Sequence, residues 1–210
     1  MTCRIVVLLS GRGSNFQAIV EAQLPIDIVA VISNRPQAAG LAYARERGLT
    51  AVAFDHTQHP DRAAFDVLLA DEIERHRPDL VVLAGYMRIL SPAFIARFEG
   101  RLLNIHPSLL PMFPGLKTHE RALEEGVKIH GCTVHFVTAQ LDHGPIVVQA
   151  AVPVHADDTP ATLAARVLTQ EHLIYPQAIR WFAEGRLVNM HGRVNLKGDL
   201  TSQSVLSTGT

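Results

Sequence analysis

Residues 4–15, RIVVLLSGRGSN, determine the fold class of this sequence. The apolar and β-branched run at 5–9 predicts a buried strand, which Gly11 and Gly13 end in a loop. Residues 16–22 have a helical pattern, so the whole segment predicts a strand, a loop and a helix. A continuous apolar strand followed by an amphipathic helix is typical of a parallel sheet that is buried on both faces.

The same alternation of strand and helix continues outward from this segment. Two more strands are predicted at 26–32 and 80–84. Two more helices are predicted, one at 38–47 and one capped by Asp61. Ser91 and Pro92 predict a further helix start, because serine caps free N–H groups and proline loses nothing at the first helical position. The first half of the chain is therefore predicted to be a doubly wound α/β unit.

The pattern changes after Gly100. Three strands are predicted: 102–105, 132–137 and 146–154. The last two leave little room for a helix between them, which predicts antiparallel pairing. A long helix from Thr159 to Gly185 and a hairpin around Gly192 follow. The predicted fold class is therefore α/β, with a doubly wound, mostly parallel, Rossmann-like sheet that becomes mixed and antiparallel towards the C-terminus.

The length and composition predict one domain over residues 1–199. The chain has 210 residues and a hydrophobic content of 48%, which suffices for one substantial core. No internal repeat, low-complexity segment or linker divides it. Residues 200–210 are polar, and we expect them to form a frayed tail.

Charge and cysteine content exclude several classes of protein. Lysine and arginine (19) nearly cancel aspartate and glutamate (20), so no basic field predicts a nucleic-acid or anionic-membrane partner. The apolar run at 5–9 is too short to span a membrane. Cys3 and Cys132 are too few for a disulfide framework and have no metal-ligand spacing. We therefore expect a cytoplasmic protein without a metal, and the sequence leaves a homodimer open.

The SGRGSN loop at 10–15 is the first segment that could carry chemistry. Glycines allow close backbone approach, and the N–H groups at a helix start suit a phosphate. The dinucleotide-binding pattern G-x-G-x-x-G is broken by Phe16, and the second strand ends in Asn34 rather than an acid. Phosphate binding and a plain tight turn both remain open on this segment alone.

A second segment, LLNIHPSLLP at 102–111, is a strand that runs into a proline-bounded loop. Asn104 and His106 are two residues apart, so both side chains point to the same face of an extended strand. An amide and an imidazole placed in this way can address one oxygen. The alternative is a strand-end pair that hydrogen-bonds to the neighbouring backbone.

The third segment is LDHGP at 141–145, where Gly144 and Pro145 predict a turn. Asp142 could orient an imidazole from this turn and favour its charged form. The alternative is an aspartate that only forms the turn. Its neighbour His143 either competes for the same carboxylate or faces solvent.

These three segments, in this order and spacing, resemble the phosphoribosylglycinamide formyltransferases, a family of folate-dependent enzymes of purine synthesis. The resemblance covers nearly the whole chain. It also includes LAGYMRILSP at 83–92, PGLKTHERAL at 114–123, HGCTVHFV at 130–137 and QEH at 170–172. It implies a formyltransferase domain that takes N10-formyltetrahydrofolate and phosphoribosylglycinamide as substrates and needs no metal.

The resemblance also implies roles for individual residues. The family's catalytic set is matched by Asn104, His106 and Asp142. Its ribonucleotide contacts are matched by Gly13, Ser14, Asn15 and Glu171. Its folate contacts are matched by Arg62, Met87, Arg88, Ile89 and Leu90, and Asn104 is expected to touch the folate as well. The roles of His119, His135 and His143 stay open, although His135 shares a strand face with Thr133 and is expected to shape the pocket or to be a core histidine.

Other functions are compatible with parts of this pattern. A formyltetrahydrofolate hydrolase would use the same trio with water as the nucleophile, usually with an additional N-terminal regulatory domain. A methionyl-transfer-RNA formyltransferase would need an RNA-binding domain after the catalytic one. A nucleotide-binding module without catalysis would keep only the phosphate loop, and the intact trio argues against it.

Overall fold

The computed structural model describes residues 2–198 and 203–207. They form two compact units. The first unit comprises residues 1–104 and 137–139, and the second comprises 105–136 and 140–210. A single domain over residues 1–199 stays a prediction.

The first unit alternates strands and helices along the chain. Its strands are β1 (Cys3–Leu9), β2 (Ile26–Ser33), β3 (Ala51–Ala53) and β4 (Leu80–Leu83). Its helices are α1 (Ser14–Glu21), α2 (Ala39–Glu46), α3 (Arg62–Arg75) and α4 (Pro92–Arg97), with a short 3-10 helix at His56–Gln58. β1 pairs in parallel with both β2 and β4, as the continuous apolar runs predict.

The second unit contains the antiparallel part. Its elements, with β5 shared between the units, are β5 (Leu102–His106), α5 (Thr118–Glu124), β6 (Ile129–Phe136), β7 (Ile146–Pro153), α6 (Pro160–Ala183), β8 (Leu187–Met190), β9 (Arg193–Leu196) and β10 (Ser204–Leu206). β6 and β7 pair antiparallel, and β8 and β9 form the predicted hairpin. Eight strands form one sheet in the order β10-β7-β6-β5-β4-β1-β2-β3. The predicted fold class, a mostly parallel sheet with an antiparallel C-terminal part, is confirmed.

The helix starts follow the residues that the sequence singles out as caps. Asp61 Oδ1 accepts a hydrogen bond from Ala64 N–H at 2.9 Å, and Ser91 Oγ accepts one from Phe94 N–H at 3.3 Å. Each side chain therefore satisfies an N–H group that the helix itself cannot satisfy. The ends of α3 and α4 are thereby fixed next to the loops that precede them.

The core of the first unit lies between the sheet and helices α3 and α4. Its members are largely or fully buried apolar side chains: Val6, Leu8, Ile32, Phe65, Leu69, Ile73, Val81, Phe94, Phe98 and Leu102. The strand residues come from the continuous apolar runs, and the α3 residues recur at helical spacing. This packing makes the carboxyl ends of β1, β2 and β4 a rigid base for the loops that follow them.

Besides the 3-10 helix at His56–Gln58, three short elements were not predicted from the sequence. β3 has three residues and α5 seven, too few for a hydrophobic period to be recognised. β10 lies inside the segment expected to fray, and it pairs in parallel with β7. Val205 and Leu206 supply the apolar, partly β-branched character of this edge strand. Of the expected tail, residues 200–202 and 208–210 lie outside the described part of the chain.

Candidate active site

His106 ends strand β5 and faces the carboxylate of Asp142. His106 Nδ1 lies 3.5 Å from Asp142 Oδ2, and both side chains are buried. The same Oδ2 accepts a hydrogen bond from Gly115 N–H at 2.8 Å. Asp142 has a left-handed backbone with φ 51°, as expected for an aspartate in a tight turn. The turn therefore holds a buried carboxylate against the imidazole, which is one of the two alternatives that the sequence leaves open for Asp142.

The other ring nitrogen of His106 is also engaged. Nε2 lies 2.9 Å from the carbonyl oxygen of Phe113. A carbonyl oxygen can only accept, so Nε2 carries a proton and donates it to this bond. A ring that is protonated at Nδ1 as well would be a cation paired with Asp142. The sequence did not predict the contact with Phe113, which lies in a loop without regular secondary structure.

His135, on strand β6, is a second imidazole beside the same carboxylate. Its Nε2 is 3.9 Å from Asp142 Oδ1, and its Nδ1 donates to the Phe136 carbonyl at 3.0 Å. Burial lowers the pKa of His135 and outweighs the opposing influence of the Phe136 hydrogen bond and of Asp142. A neutral His135 leaves the charge of Asp142 available to His106.

A further histidine, His130, packs beside Phe113 and against a fourth, His119. The rings of His119 and His130 meet edge to face with centroids 5.3 Å apart, and the His130 and Phe113 centroids are 5.7 Å apart. Burial, followed by the neighbouring His119, lowers the pKa of His130 to about 4. Burial also lowers the pKa of His119. These imidazoles therefore stay neutral near pH 7. His143, in contrast, is exposed, so its solvent-facing alternative is the one that the structure shows.

The SGRGSN loop joins β1 to α1 in the first unit. Gly13 adopts a left-handed backbone with φ 76° directly before Ser14, and no described side chain caps α1. The start of the helix therefore keeps its positive end without an aspartate or serine cap in front of it. Asn15 is buried and Ser14 half-buried, at the first turn of the helix.

The 85–91 loop, also in the first unit, follows β4 and presents apolar side chains to solvent. Met87 and Ile89 are 63% and 59% exposed, whereas Leu90 is only 7% exposed. The Arg88 guanidinium lies over the ring of Phe65, 4.9 Å from its centroid. Exposed apolar groups on a loop fixed by its neighbours suit a flat, apolar ligand surface. Arg62, the other predicted folate contact, is the exposed first residue of α3.

Comparison with known proteins gives the family. The family model described as formyl transferase matches residues 3–179. This chain belongs to the formyl transferase family. Family membership implies a folate-dependent formyl donor.

This formyl transferase family member is similar to several named proteins. Phosphoribosylglycinamide formyltransferase of Escherichia coli (strain K12) is 53% identical over 191 residues, which cover 89% of this chain and 90% of that protein. The structure of glycinamide ribonucleotide transformylase 1 from Symbiobacterium toebii matches with a TM-score of 0.90 and 52% identity, covering 93% of this chain and 94% of that one. The structure of formyltetrahydrofolate deformylase from Burkholderia mallei matches with a TM-score of 0.84 and 31% identity, covering 93% of this chain but 70% of that one.

Glu171 lies on α6 in the second unit and is buried. Its negative charge adds to burial in raising the pKa of the Cys132 thiol. Both cysteines are free thiols, and Cys132 is buried. A buried carboxylate on a long helix is unusual unless it is paired or used for binding. The structure thus buries the Glu171 side chain within electrostatic reach of the Cys132 thiol. The expected contact of Glu171 with the ribonucleotide stays a prediction.

Residues 2–198 and 203–207 contain neither a candidate metal site nor a candidate membrane-spanning helix. No group of three or more histidine, cysteine or acidic side chains there could hold a metal ion. None of the helices in this part of the chain is long and apolar enough to cross a bilayer.

Proposed function

We propose that this family member transfers the formyl group of N10-formyltetrahydrofolate to the amine of phosphoribosylglycinamide, a step of purine biosynthesis. The observation that carries the proposal is the buried pair of His106 and Asp142 at the end of the strand that bears Asn104. The identity to phosphoribosylglycinamide formyltransferase over nearly the whole chain supports this choice of acceptor.

The reaction needs donors for a developing negative charge. The amine attacks the formyl carbon, and the formyl oxygen becomes negative in a tetrahedral intermediate. A side-chain amide such as Asn104 and an imidazolium such as His106 are donors of the required kind, and one preorganised donor is worth about 100- to 1000-fold in rate. For this role the Nε2–H of His106 must exchange the Phe113 carbonyl for the substrate oxygen.

The carbon–nitrogen bond to folate then breaks, and the protons must balance. The attacking amine loses one proton and N10 of the folate gains one. Nε2 of His106 can do both: it gives its proton to N10 and then takes one from the amine, while Nδ1 stays against Asp142. Asp142 stabilises the ring in its charged state, before it gives up a proton and after it takes one up, and neutral His135 does not compete for the carboxylate.

Remote groups of each substrate provide the binding energy. We assign the ribonucleotide phosphate to Gly13, Ser14 and Asn15, because the first turn of α1 offers N–H groups without a side-chain cap. We assign the folate to residues 87–90 and Arg62, with Met87 and Ile89 as the exposed apolar surface. Glu171 is assigned to the ribonucleotide on the strength of the resemblance alone.

The second candidate is a formyltetrahydrofolate hydrolase, in which water replaces the amine. The similarity to the deformylase structure is the observation that favours a hydrolase, although the match covers only 70% of that chain. A nucleotide-binding module without catalysis would not need a buried carboxylate paired with a strand-end histidine.

Measuring the amounts of both products distinguishes these functions. The protein is incubated with N10-formyltetrahydrofolate with and without phosphoribosylglycinamide, and both products are quantified. We expect equal amounts of formylated ribonucleotide and tetrahydrofolate, and little deformylation without the ribonucleotide. Rapid deformylation that ignores the ribonucleotide would replace the transferase by the hydrolase, and binding without turnover would favour the silent module.

Small-molecule substrates agree with the nearly balanced charge, 19 basic against 20 acidic residues, which gives a nucleic acid no broad surface to bind. Cytoplasmic location and a homodimer remain predictions.

A further inference from the structure

Ser10 is the first residue of the SGRGSN loop, but its hydroxyl contacts the 85–91 loop. It follows β1 and is almost completely buried. Its Oγ accepts a hydrogen bond from Met87 N–H at 2.8 Å, and its own N–H donates to the Gly85 carbonyl at 3.1 Å. Ser10 therefore holds the 85–91 loop by two hydrogen bonds, one on each side of Tyr86.

Asn34 determines how the hydroxyl of Ser10 is oriented. Ser10 Oγ donates its one proton to Asn34 Oδ1 at 2.6 Å, so its lone pairs are left for Met87 N–H. Asn34 directly follows β2 and is buried. Its backbone carbonyl accepts a hydrogen bond from His56 Nδ1 at 2.8 Å. The support for Met87 thus extends across the carboxyl ends of β1 and β2.

The far end of the 85–91 loop is fixed by a second buried side chain. Asp66, on α3, has no exposed surface, and its Oδ2 accepts a hydrogen bond from Ser91 N–H at 2.6 Å. Gly85 at the near end has a left-handed backbone with φ 76°. Hydrogen bonds hold both ends of the 85–91 loop, while Met87 and Ile89 remain exposed. A loop that is already ordered loses less conformational entropy when a ligand binds.

We infer that Ser10, oriented by Asn34, is a positioning residue for folate binding and not a phosphate ligand. The inference rests on the proposed function, because it takes residues 87–90 as the folate contacts. It goes further in assigning a residue of the phosphate-loop motif to the other substrate. Ser10 then joins the two binding loops in the first unit, since its backbone leads into one and its hydroxyl holds the other.

The size of the effect follows from the hydrogen bond that would be lost. Removing the Ser10 hydroxyl leaves Met87 N–H without its acceptor and frees the loop to adopt other conformations. A buried backbone group that loses its partner costs about 1–3 kcal/mol, which corresponds to about 5- to 150-fold in an equilibrium constant. Met87 is partly exposed, so water replaces some of this, and we expect about tenfold weaker folate binding.

Three serine variants form a matched test. Ser33 is fully buried at the end of β2, and its Oγ accepts a hydrogen bond at 3.1 Å from the N–H of Arg35, a residue outside the 85–91 loop. Equilibrium titrations with tetrahydrofolate and with phosphoribosylglycinamide are made on Ser10→Ala, Ser14→Ala and Ser33→Ala. We expect Ser10→Ala to weaken folate binding about tenfold and ribonucleotide binding less than twofold. Ser14→Ala should do the reverse, and Ser33→Ala should change neither.

Hydrogen exchange tests the contact itself, independently of any ligand. The amide of Met87 should exchange faster in Ser10→Ala and not in Ser33→Ala. Asn34→Ala keeps the Ser10 hydroxyl but removes its orientation, so it should give a smaller change in the same direction. This variant supplies the comparison if Ser10→Ala fails to fold.

The outcomes separate the inference from the proposed function. A wild-type protein that binds both ligands, with Ser10→Ala keeping its folate affinity or losing only ribonucleotide affinity, overturns the inference alone. A wild-type protein that binds neither ligand overturns the proposed function and the inference with it, whatever the exchange of Met87 shows.

Discussion

The two units of this chain build their proposed sites by different means. In the first unit the important groups are backbone N–H groups and loop geometry, at Gly13, Ser14 and the segment 85–91. In the second unit they are buried imidazoles around one carboxylate, with His106 and His135 both facing Asp142. Single side-chain changes should therefore have smaller effects in the first unit than in a buried ionisable cluster, which depends on each member. The comparison predicts where mutations and pH should act.

The largest effect is expected from Asp142→Asn in the second unit. Asparagine keeps the shape and can still accept the Gly115 N–H through its amide oxygen, but it lacks the charge that pairs with His106. We expect turnover to fall about 100-fold or more, the scale of one acid–base group, with a melting temperature within a few degrees of the wild type. Steady-state kinetics and thermal unfolding measure both.

His143→Ala is the matched control, because His143 is the exposed neighbour in the same turn. It should leave turnover unchanged. If Asp142→Asn retained full activity, the left-handed aspartate would be only a turn former, and the distinction between the two units would lose its main support.

The next largest effect is a loss of stability when alanine replaces a closely packed glycine, one in each unit. A methyl group at Gly131, on β6, would overlap the backbone carbonyl oxygen of Ala150 on the neighbouring strand. A methyl group at Gly40, on α2, would come within 2.6 Å of Leu9 Cδ2, the end of a flexible side chain. Because a backbone oxygen in a sheet cannot move aside, Gly131→Ala should cost more stability than the roughly 1–3 kcal/mol that overpacking usually costs. Gly40→Ala should cost less, since the Leu9 side chain can change its rotamer and alanine is also the better helix former.

Urea unfolding of both variants checks this order. Equal destabilisation would show that the strands near Gly131 adjust as easily as the Leu9 side chain.

The sequence predicted the elements of the first unit well because its signals are local. The apolar runs of β1 and β4 and the caps Asp61 and Ser91 are each recognisable within a few residues, and the structure confirms them. The trio of Asn104, His106 and Asp142 was also predicted, and the structure brings two of its members, His106 and Asp142, together. Their catalytic roles stay predictions.

The remaining features of the site depend on contacts far apart in the sequence or on irregular backbone. Phe113, whose carbonyl accepts from His106, has a left-handed backbone with φ 54°, which no pattern of residue types indicates. The contact of His135 with Asp142 depends on the geometry of β6 and of the turn that carries Asp142. Ser10 belongs to the SGRGSN segment, for which the sequence leaves phosphate binding and a tight turn open, yet its hydroxyl contacts Met87, 77 residues later.

The smallest expected effect is a pH dependence of stability that belongs to the second unit. Burial lowers the pKa of His119, His130 and His135, in the case of His130 to about 4. Unfolding returns each imidazole to an ordinary pKa of about 6.5, so the unfolded chain binds more protons in between. The free energy of unfolding should therefore be greatest above pH 6.5 and should fall as the pH drops towards 4. The carboxyls with lowered pKa in the first unit, Asp55 and Glu74, lose their contribution only at lower pH.

This predicts a window, pH 6.5 to 5, in which the second unit weakens and the first does not. We expect the melting temperature to fall by several degrees across it, since about 1 kcal/mol shifts it by roughly 2–4 °C in a chain of this size. His130→Phe keeps an aromatic ring against Phe113 but cannot take up a proton, so it should reduce the fall. Hydrogen exchange at both pH values locates the change: faster exchange around β6 and α5 supports the comparison of the two units. Equal loosening of β1 and β2, or an unchanged slope in His130→Phe, would mean that buried imidazoles do not set the stability of the second unit.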